Sequence, residues 1–206
     1  MFPGPLAEQS LDQVKQIFET NTFAVLRICK AVVPIMAKRN AGTIVNIGSV
    51  MGNLLALNLC KMVVVVDLTP HPRSSSPWSG AYCASKAALN SISEVLYMEL
   101  KPFGIHVLHV AAGAVKSNIA TNGLSHFSLP ENSLYGKFVP NIIDRANSSQ
   151  DYTSVPTKTF AKKVVENALK QNPPRYMTAG GRSFFFSIVW WLPRGFVLYL
   201  MWKRFS

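Results

Sequence analysis

Apolar residues recur at helical spacing through the first forty positions, first at Leu11, Val14, Ile17 and Phe18, then at Leu26, Cys29, Val32, Val33 and Met36. Ser10 stands three residues before Gln13 in capping-box form. The pattern predicts one long helix from about 11 to 39, with Pro34 kinking or shortening its last turns. After the turn at Asn40–Gly42, Thr43–Ile47 is a β-branched run that predicts a short buried strand with Ser49 at its C-terminal end. Helical spacing returns from Ala81 to Lys101, with Leu89, Ile92, Val95, Leu96 and Leu100 on one stripe. Pro102 and Gly104 stop it before a second buried strand, Ile105–Val110. Residues 114–156 are polar and punctuated by Gly and Pro, as expected of an irregular region that covers a substrate. Thr157–Gln171 then reads as an amphipathic helix closed by Asn172, Pro173 and Pro174. Strands alternating with helices imply an α/β sheet, and such sheets bind ligands at the C-terminal ends of their strands.

Composition adds one domain of ordinary size: 206 residues, 49% apolar and 15% charged. Cys29, Cys60 and Cys83 have no pairable or metal-type spacing, so reduced thiols and no metal are expected. The net charge of +11 is concentrated late, with nine Lys or Arg against Asp151 and Glu166 over residues 151–206. With no zinc-finger spacing, RNP-like motif or dense basic helix, nucleic acid is not an expected partner. A membrane surface is. Phe184–Leu192 and Phe196–Trp202 are apolar runs separated by Pro193, Arg194 and Gly195, each shorter than the roughly 20 residues that span a bilayer. Arg182, Lys203 and Arg204 flank them, and Trp190, Trp191, Tyr199 and Trp202 lie within them. Residues 182–206 therefore read as an interfacial anchor or shallow hairpin. The alternative is a terminal helix pair packed on the domain or on a second subunit. Met1–Ser10 has neither the basic flank nor the apolar run of a signal peptide.

The chemistry concentrates at Tyr82-Cys83-Ala84-Ser85-Lys86. One helical turn separates Tyr82 from Lys86, so a phenol and an ammonium share a face. A nearby cation favours the ionised phenol, which would bring Tyr82 toward working pH as a proton donor, and a Ser hydroxyl at a strand end can hold a carbonyl oxygen beside it.

These residues, in TIVNIGSVMG, SGAYCASKAALNSIS and ETNTFAVLRICKAV, resemble the short-chain dehydrogenase/reductases over nearly the whole chain. The resemblance implies a Rossmann-type, doubly wound parallel sheet. It implies proton donation to a substrate carbonyl by Tyr82, carbonyl positioning by Ser49, ribose contact and lowering of the phenol pKa by Lys86, and a water relay at Asn21. Asn21, Tyr82 and Lys86 would also contact a nicotinamide cofactor, as would the turn that holds Gly113, Val115 and Ser117, where Ala112 replaces the family's usual proline. A dimer or tetramer that packs the Tyr-bearing helix is a further implication. A narrower likeness, in ELKPFGIHVLHVAAGAVKSNIA, PENSLYGKF and the aromatic, basic tail, is to fungal 1-acyldihydroxyacetone-phosphate reductases. It implies NADPH-dependent reduction of a lipid ketone, 1-acyl-dihydroxyacetone phosphate, to 1-acyl-glycerol 3-phosphate, at the cytosolic face of the endoplasmic reticulum or a lipid droplet. An anionic amphiphile drawn from a membrane suits the positive charge. Hydroxysteroid and retinol reductases share the same core, and a non-catalytic membrane-associated fragment is the reading from another class.

Two departures set further expectations. Met1 falls where the family has already completed its Gly-rich GxxxGxG turn, so the chain reads as a partial domain, residues 1–181, without the half that binds the pyrophosphate. The strand at Thr43–Ile47 should then show an unpaired edge. Ser49 and Tyr82 stand 33 positions apart, against about 13 in the family motif. The excess, residues 54–76 with Val63–Val66 at its centre, reads as a translated intron, with an added lid or strand as the competing idea.

Overall fold

A computed structural model of the protein describes residues 1–52, 75–183 and 192–206. Its helices are α1 (Leu11–Phe18), α2 (Ala24–Lys38), α3 (Gly80–Leu100), α4 (Ile119–Leu124), α5 (Val139–Asn147), α6 (Thr157–Ala168) and α7 (Arg194–Phe205). Among the described residues one sheet forms, from three parallel strands in the order β1 (Gly42–Ile47), β2 (Ile105–Ala112) and β3 (Tyr176–Ala179). Ile47, Val110 and Met177 lie level across it.

Alternation along the strands sends neighbouring side chains to opposite faces. Ile44, Ile105 and Val107 pack with Cys29 of α2 and Leu100 of α3 on one face. Leu108, Val110, Met177 and Ala179 pack with Val164 of α6 on the other. The chain thus has the α/β architecture that strand and helix alternation implies, with helices on both faces of a parallel sheet. Among the described residues β1 is an edge strand, bonded only to β2.

Several elements differ from their sequence patterns. The stretch 11–38 is helical throughout, and the Ser10 hydroxyl accepts the Gln13 N–H at 3.2 Å. Its irregularity is a π turn at Glu19–Phe23, whereas Pro34 is accommodated inside α2. By length and composition Leu11–Lys38 could cross a bilayer, yet Cys29, Val25, Val33 and Met36 pack on the sheet. Residues 114–156 are not irregular throughout, because they hold α4 and α5. Pro140 sits in the first turn of α5, where a missing N–H costs nothing, and does not break it. β3 has no pattern of its own in the sequence, because its four residues between Arg175 and Gly180 are too few to show one. Gly104, at φ +64° against the Asn40 backbone, ends the helical stretch as expected.

The described part of the tail packs on the domain by one face. Val197 and Phe205 are buried, and Trp78 Nε1 donates to the Phe205 carbonyl at 2.8 Å within an aromatic cluster that includes Ile142, Phe138 and Met201. Phe196, Leu198 and Tyr199 face outward, while Trp202 sets its half-exposed ring beside Trp78 and Phe138. Residues 184–191, Cys60 and all of the 54–76 segment except Ser75 and Ser76 lie outside the described residues.

Candidate active site

β1 and β2 end at the same edge of the sheet, and Gly48 N–H donates to the Val110 carbonyl there at 2.8 Å. No side chain fits at Gly48, because a Cβ would run into the His109 ring. Ser49 follows, buried, and its hydroxyl accepts the Met51 N–H at 3.1 Å. α3 starts at this edge, and Lys86 Nζ donates to the Ile47 carbonyl at 2.8 Å. Helical periodicity then places Lys86 5.9 Å from the centre of the Tyr82 ring. The Ser49 hydroxyl is near enough to the Tyr82 phenol to act on its pKa. Ser49, Tyr82 and Lys86, far apart in sequence, are therefore one cluster.

The electrostatics correct one expectation. Burial pushes the Tyr82 phenol above its ordinary value; the Ser49 hydroxyl and the charge of Arg145 pull it part of the way back, and Lys86 is not among the groups that do so. Lys86 is itself lowered by burial to about 8. At neutral pH the phenol keeps its proton.

Asn21 sits in the π turn, and its Nδ2 donates to Ser85 Oγ at 3.0 Å, while Ser85 Oγ donates to the Tyr82 carbonyl at 2.8 Å. Thr22 Oγ1 reaches the Ser85 carbonyl at 3.2 Å. The π turn thus joins Asn21 to the first turns of α3 by two hydrogen bonds. Asn21 lies one residue from the Tyr-Lys face and not within the Ser49–Tyr82–Lys86 cluster itself.

Beyond β2, Gly113 is pressed against the backbone of Gly180 and Gly181, which leaves no room for a side chain. Gln150 spans the following turn: its Nε2 donates to the Val115 carbonyl at 3.2 Å, and the Ser117 N–H donates to its Oε1 at 2.9 Å. Thr157 Oγ1 donates to the Lys116 carbonyl at 2.6 Å. The turn lacks proline but is held by side chains from outside it. Its acceptor and donor are complementary to a primary amide, the group a nicotinamide carries, and both are taken by Gln150. Ser117 is exposed.

Two residues at the site were not legible in the sequence. Arg145 of α5 is 7% exposed, with Nε on Ser76 Oγ at 2.6 Å and Nη1 on Ser148 Oγ at 3.1 Å. Gln150 is the other. Behind Lys86 lies a polar layer: Asn46 Nδ2 donates to Ser93 Oγ at 2.9 Å, Ser93 Oγ donates to the Leu89 carbonyl, and His109 Nδ1 meets Ser93 Oγ at 3.1 Å. Since the Ser93 proton is committed to Leu89, Nδ1 carries the hydrogen of the His109 contact. Burial and the Lys86 charge lower His109 to about 4. Among the described residues no group of His, Cys, Asp and Glu could hold a metal.

Known proteins fit this arrangement. A family model for short chain dehydrogenase matches residues 2–60 and 70–126, and the break between the two stretches falls inside the 54–76 segment. The short-chain dehydrogenase ptmH of Penicillium ochrochloron is 33% identical over 185 residues, which cover 89% of this chain and 59% of that protein. The NADPH-dependent 1-acyldihydroxyacetone phosphate reductase of Saccharomyces cerevisiae is 28% identical over 165 residues, covering 78% of this chain and 46% of that protein. The crystal structure of a short-chain dehydrogenase from Streptomyces avermitilis superposes with a TM-score of 0.66 at 26% identity, over 90% of this chain and 59% of the other. The chain spans 59% of the length of the first of these relatives and 46% of the second. With a family model matched over more than half of its residues, and the Tyr82–Lys86 pair and the parallel sheet both in place, the chain belongs to the short chain dehydrogenase family.

Proposed function

We propose that this chain carries the catalytic part of an oxidoreductase that uses NADPH to reduce a lipid ketone, 1-acyl-dihydroxyacetone phosphate, to 1-acyl-glycerol 3-phosphate. The observation that carries the proposal is the cluster of a protonated, buried Tyr82 phenol near the Ser49 hydroxyl, with the Lys86 ammonium beside its ring. A ketone oxygen held by the Ser49 hydroxyl would lie next to the Tyr82 proton, which it takes as its carbon gains a hydride. The reduced nicotinamide supplies that hydride when bound. Tyr82, Lys86 and Asn21 would face its ribose side, and Gly113, Val115 and Ser117 its carboxamide. Burial keeps the proton on Tyr82 until it is needed, and general acids of this kind contribute about 10² to 10⁴ in rate.

The choice of substrate is supported by the likeness to the yeast reductase and by the positive charge of the chain. The outward aromatic face of α7, with Lys203 at its end, supports a membrane surface as the source of the lipid, and hence the cytosolic face of the endoplasmic reticulum or a lipid droplet. Ile28 and Ile35 on α2 and Met98 on α3, each at least 60% exposed, favour a homo-oligomer that covers them. The test is a ketone panel offered to the purified full-length protein with NADPH. Turnover of 1-acyl-dihydroxyacetone phosphate ahead of steroid and retinoid carbonyls is expected; a steroid or retinal preferred over it would replace the substrate assignment.

A further inference from the structure

Arg145 has an unusual setting for a buried cation. Its guanidinium lies 5.5 Å over the Phe205 ring and is bonded through Nε and Nη1 to two hydroxyls, Ser76 and Ser148. Among the described residues no carboxylate forms an ion pair with it and no acceptor is bonded to Nη2. Its sequence neighbour Asp144 turns outward to Arg204, at 2.8 Å. Burying a charge without an opposite charge is costly, and such a guanidinium normally meets an anion. Burial lowers Arg145 from its ordinary value, and its charge reaches both Tyr82 and Cys83.

We propose that Arg145, held by the hydroxyls of Ser76 and Ser148, is the specificity site for the phosphate monoester of the substrate. A guanidinium presents donors in a planar fork that suits phosphate oxygens, and the Ser76 and Ser148 hydroxyls, whose own protons go to the Pro77 and Arg145 carbonyls, accept from it and fix its orientation. Phe205 of α7 supports the guanidinium plane from behind, which links the tail to the site. This inference rests on the phosphorylated-lipid reading of the function.

The experiment measures binding and turnover separately. Binding of 1-acyl-glycerol 3-phosphate and of the same monoacylglycerol without phosphate is followed by calorimetry in the full-length protein, in Arg145→Gln, in Arg145→Lys and in the milder Ser148→Ala. The wild type should prefer the phosphorylated lipid by tenfold or more. Arg145→Gln should erase that preference while still binding the neutral lipid, which shows that it is folded; Arg145→Lys should keep part of it, and Ser148→Ala should reduce it about threefold. Should Arg145→Gln not fold, Arg145→Lys and Ser148→Ala leaving the preference unchanged would overturn the proposal. Equal affinity for the two lipids in the wild type, or a full preference surviving in Arg145→Gln, would overturn it as well. Reduction of 1-acyl-dihydroxyacetone phosphate by the wild type, measured alongside, separates the two claims: turnover with discrimination indifferent to Arg145 sinks the site alone, and phosphate discrimination lost in Arg145→Gln without any turnover sinks the reaction alone.

Discussion

Lys86 Nζ donates to the Ile47 carbonyl at 2.8 Å, so the second turn of α3 is tied to the last residue of β1. Burial lowers the ammonium to about 8. Two opposite pH responses follow. Activity that needs the Lys86 charge falls as pH rises through about 8. Stability moves the other way: between about 8 and the ordinary lysine value of 10.5, the unfolded chain holds a proton that the folded chain has shed, so Lys86 destabilises less as pH rises through that window. Urea unfolding of wild type and Lys86→Gln at pH 7.5 and pH 10, beside a kcat/KM profile, checks this. The wild type is expected to gain on the variant at the higher pH while its activity drops.

His109 sets the acid side. Its folded value of about 4 lies below the ordinary 6.5, so the unfolded chain binds a proton that the folded chain refuses between those values, and stability is lost as pH falls through 6.5 toward 4. The loss should reach about 3 kcal/mol at most. His109→Gln is expected to flatten the fall in urea midpoint between pH 7 and pH 4.5; an unchanged slope would assign the acid sensitivity elsewhere.

Gln150 holds the Val115–Ser117 turn from both sides. In Gln150→Glu the acceptor for Ser117 survives but the donor to the Val115 carbonyl does not, and two oxygens face each other. A stability cost of about 1–2 kcal/mol and a several-fold weaker Kd for NADPH are expected from thermal unfolding and fluorescence titration. Gln150→Ala should cost less, since it removes the amide without leaving a carboxylate against the carbonyl.

The α3 face and β2 were legible because their chemistry and hydrophobic period are local: Tyr82 and Lys86 are four positions apart, and Ile105–Val110 is a continuous apolar run. Ser49 could be placed from the end of β1. Arg145 and Gln150 could not, because each acquires its role from partners distant in sequence, Ser76 and Val115, that only the tertiary fold brings near. The π turn at Asn21 has no residue signature of its own, and Pro34 drew the predicted irregularity to the wrong end of the helix. The Tyr–Lys spacing shows a cation four positions away but not the burial that raises the phenol.

The two faces of α7 should respond differently to substitution. Phe205 is 8% exposed and its ring packs under Arg145 and with Trp78 and Ile142, so Phe205→Ala is expected to cost about 3 kcal/mol or more. Phe196 and Tyr199 are about half exposed, and Phe196→Ser with Tyr199→Ser should leave stability within about 1 kcal/mol. On the membrane proposal, the outward pair should instead lower binding to anionic phosphatidylserine vesicles in a flotation assay. Vesicle binding unaffected by the pair would remove α7 as the contact.

The central claim is that Tyr82 donates the proton in an NADPH-dependent ketone reduction. The direct measurement is steady-state NADPH oxidation by the purified full-length protein with 1-acyl-dihydroxyacetone phosphate, wild type against Tyr82→Phe, with the product identified by mass spectrometry. The expected result is 1-acyl-glycerol 3-phosphate from the wild type and a kcat lowered about 10² to 10⁴-fold in Tyr82→Phe with NADPH binding retained. Turnover that survives the loss of the Tyr82 hydroxyl would contradict the account.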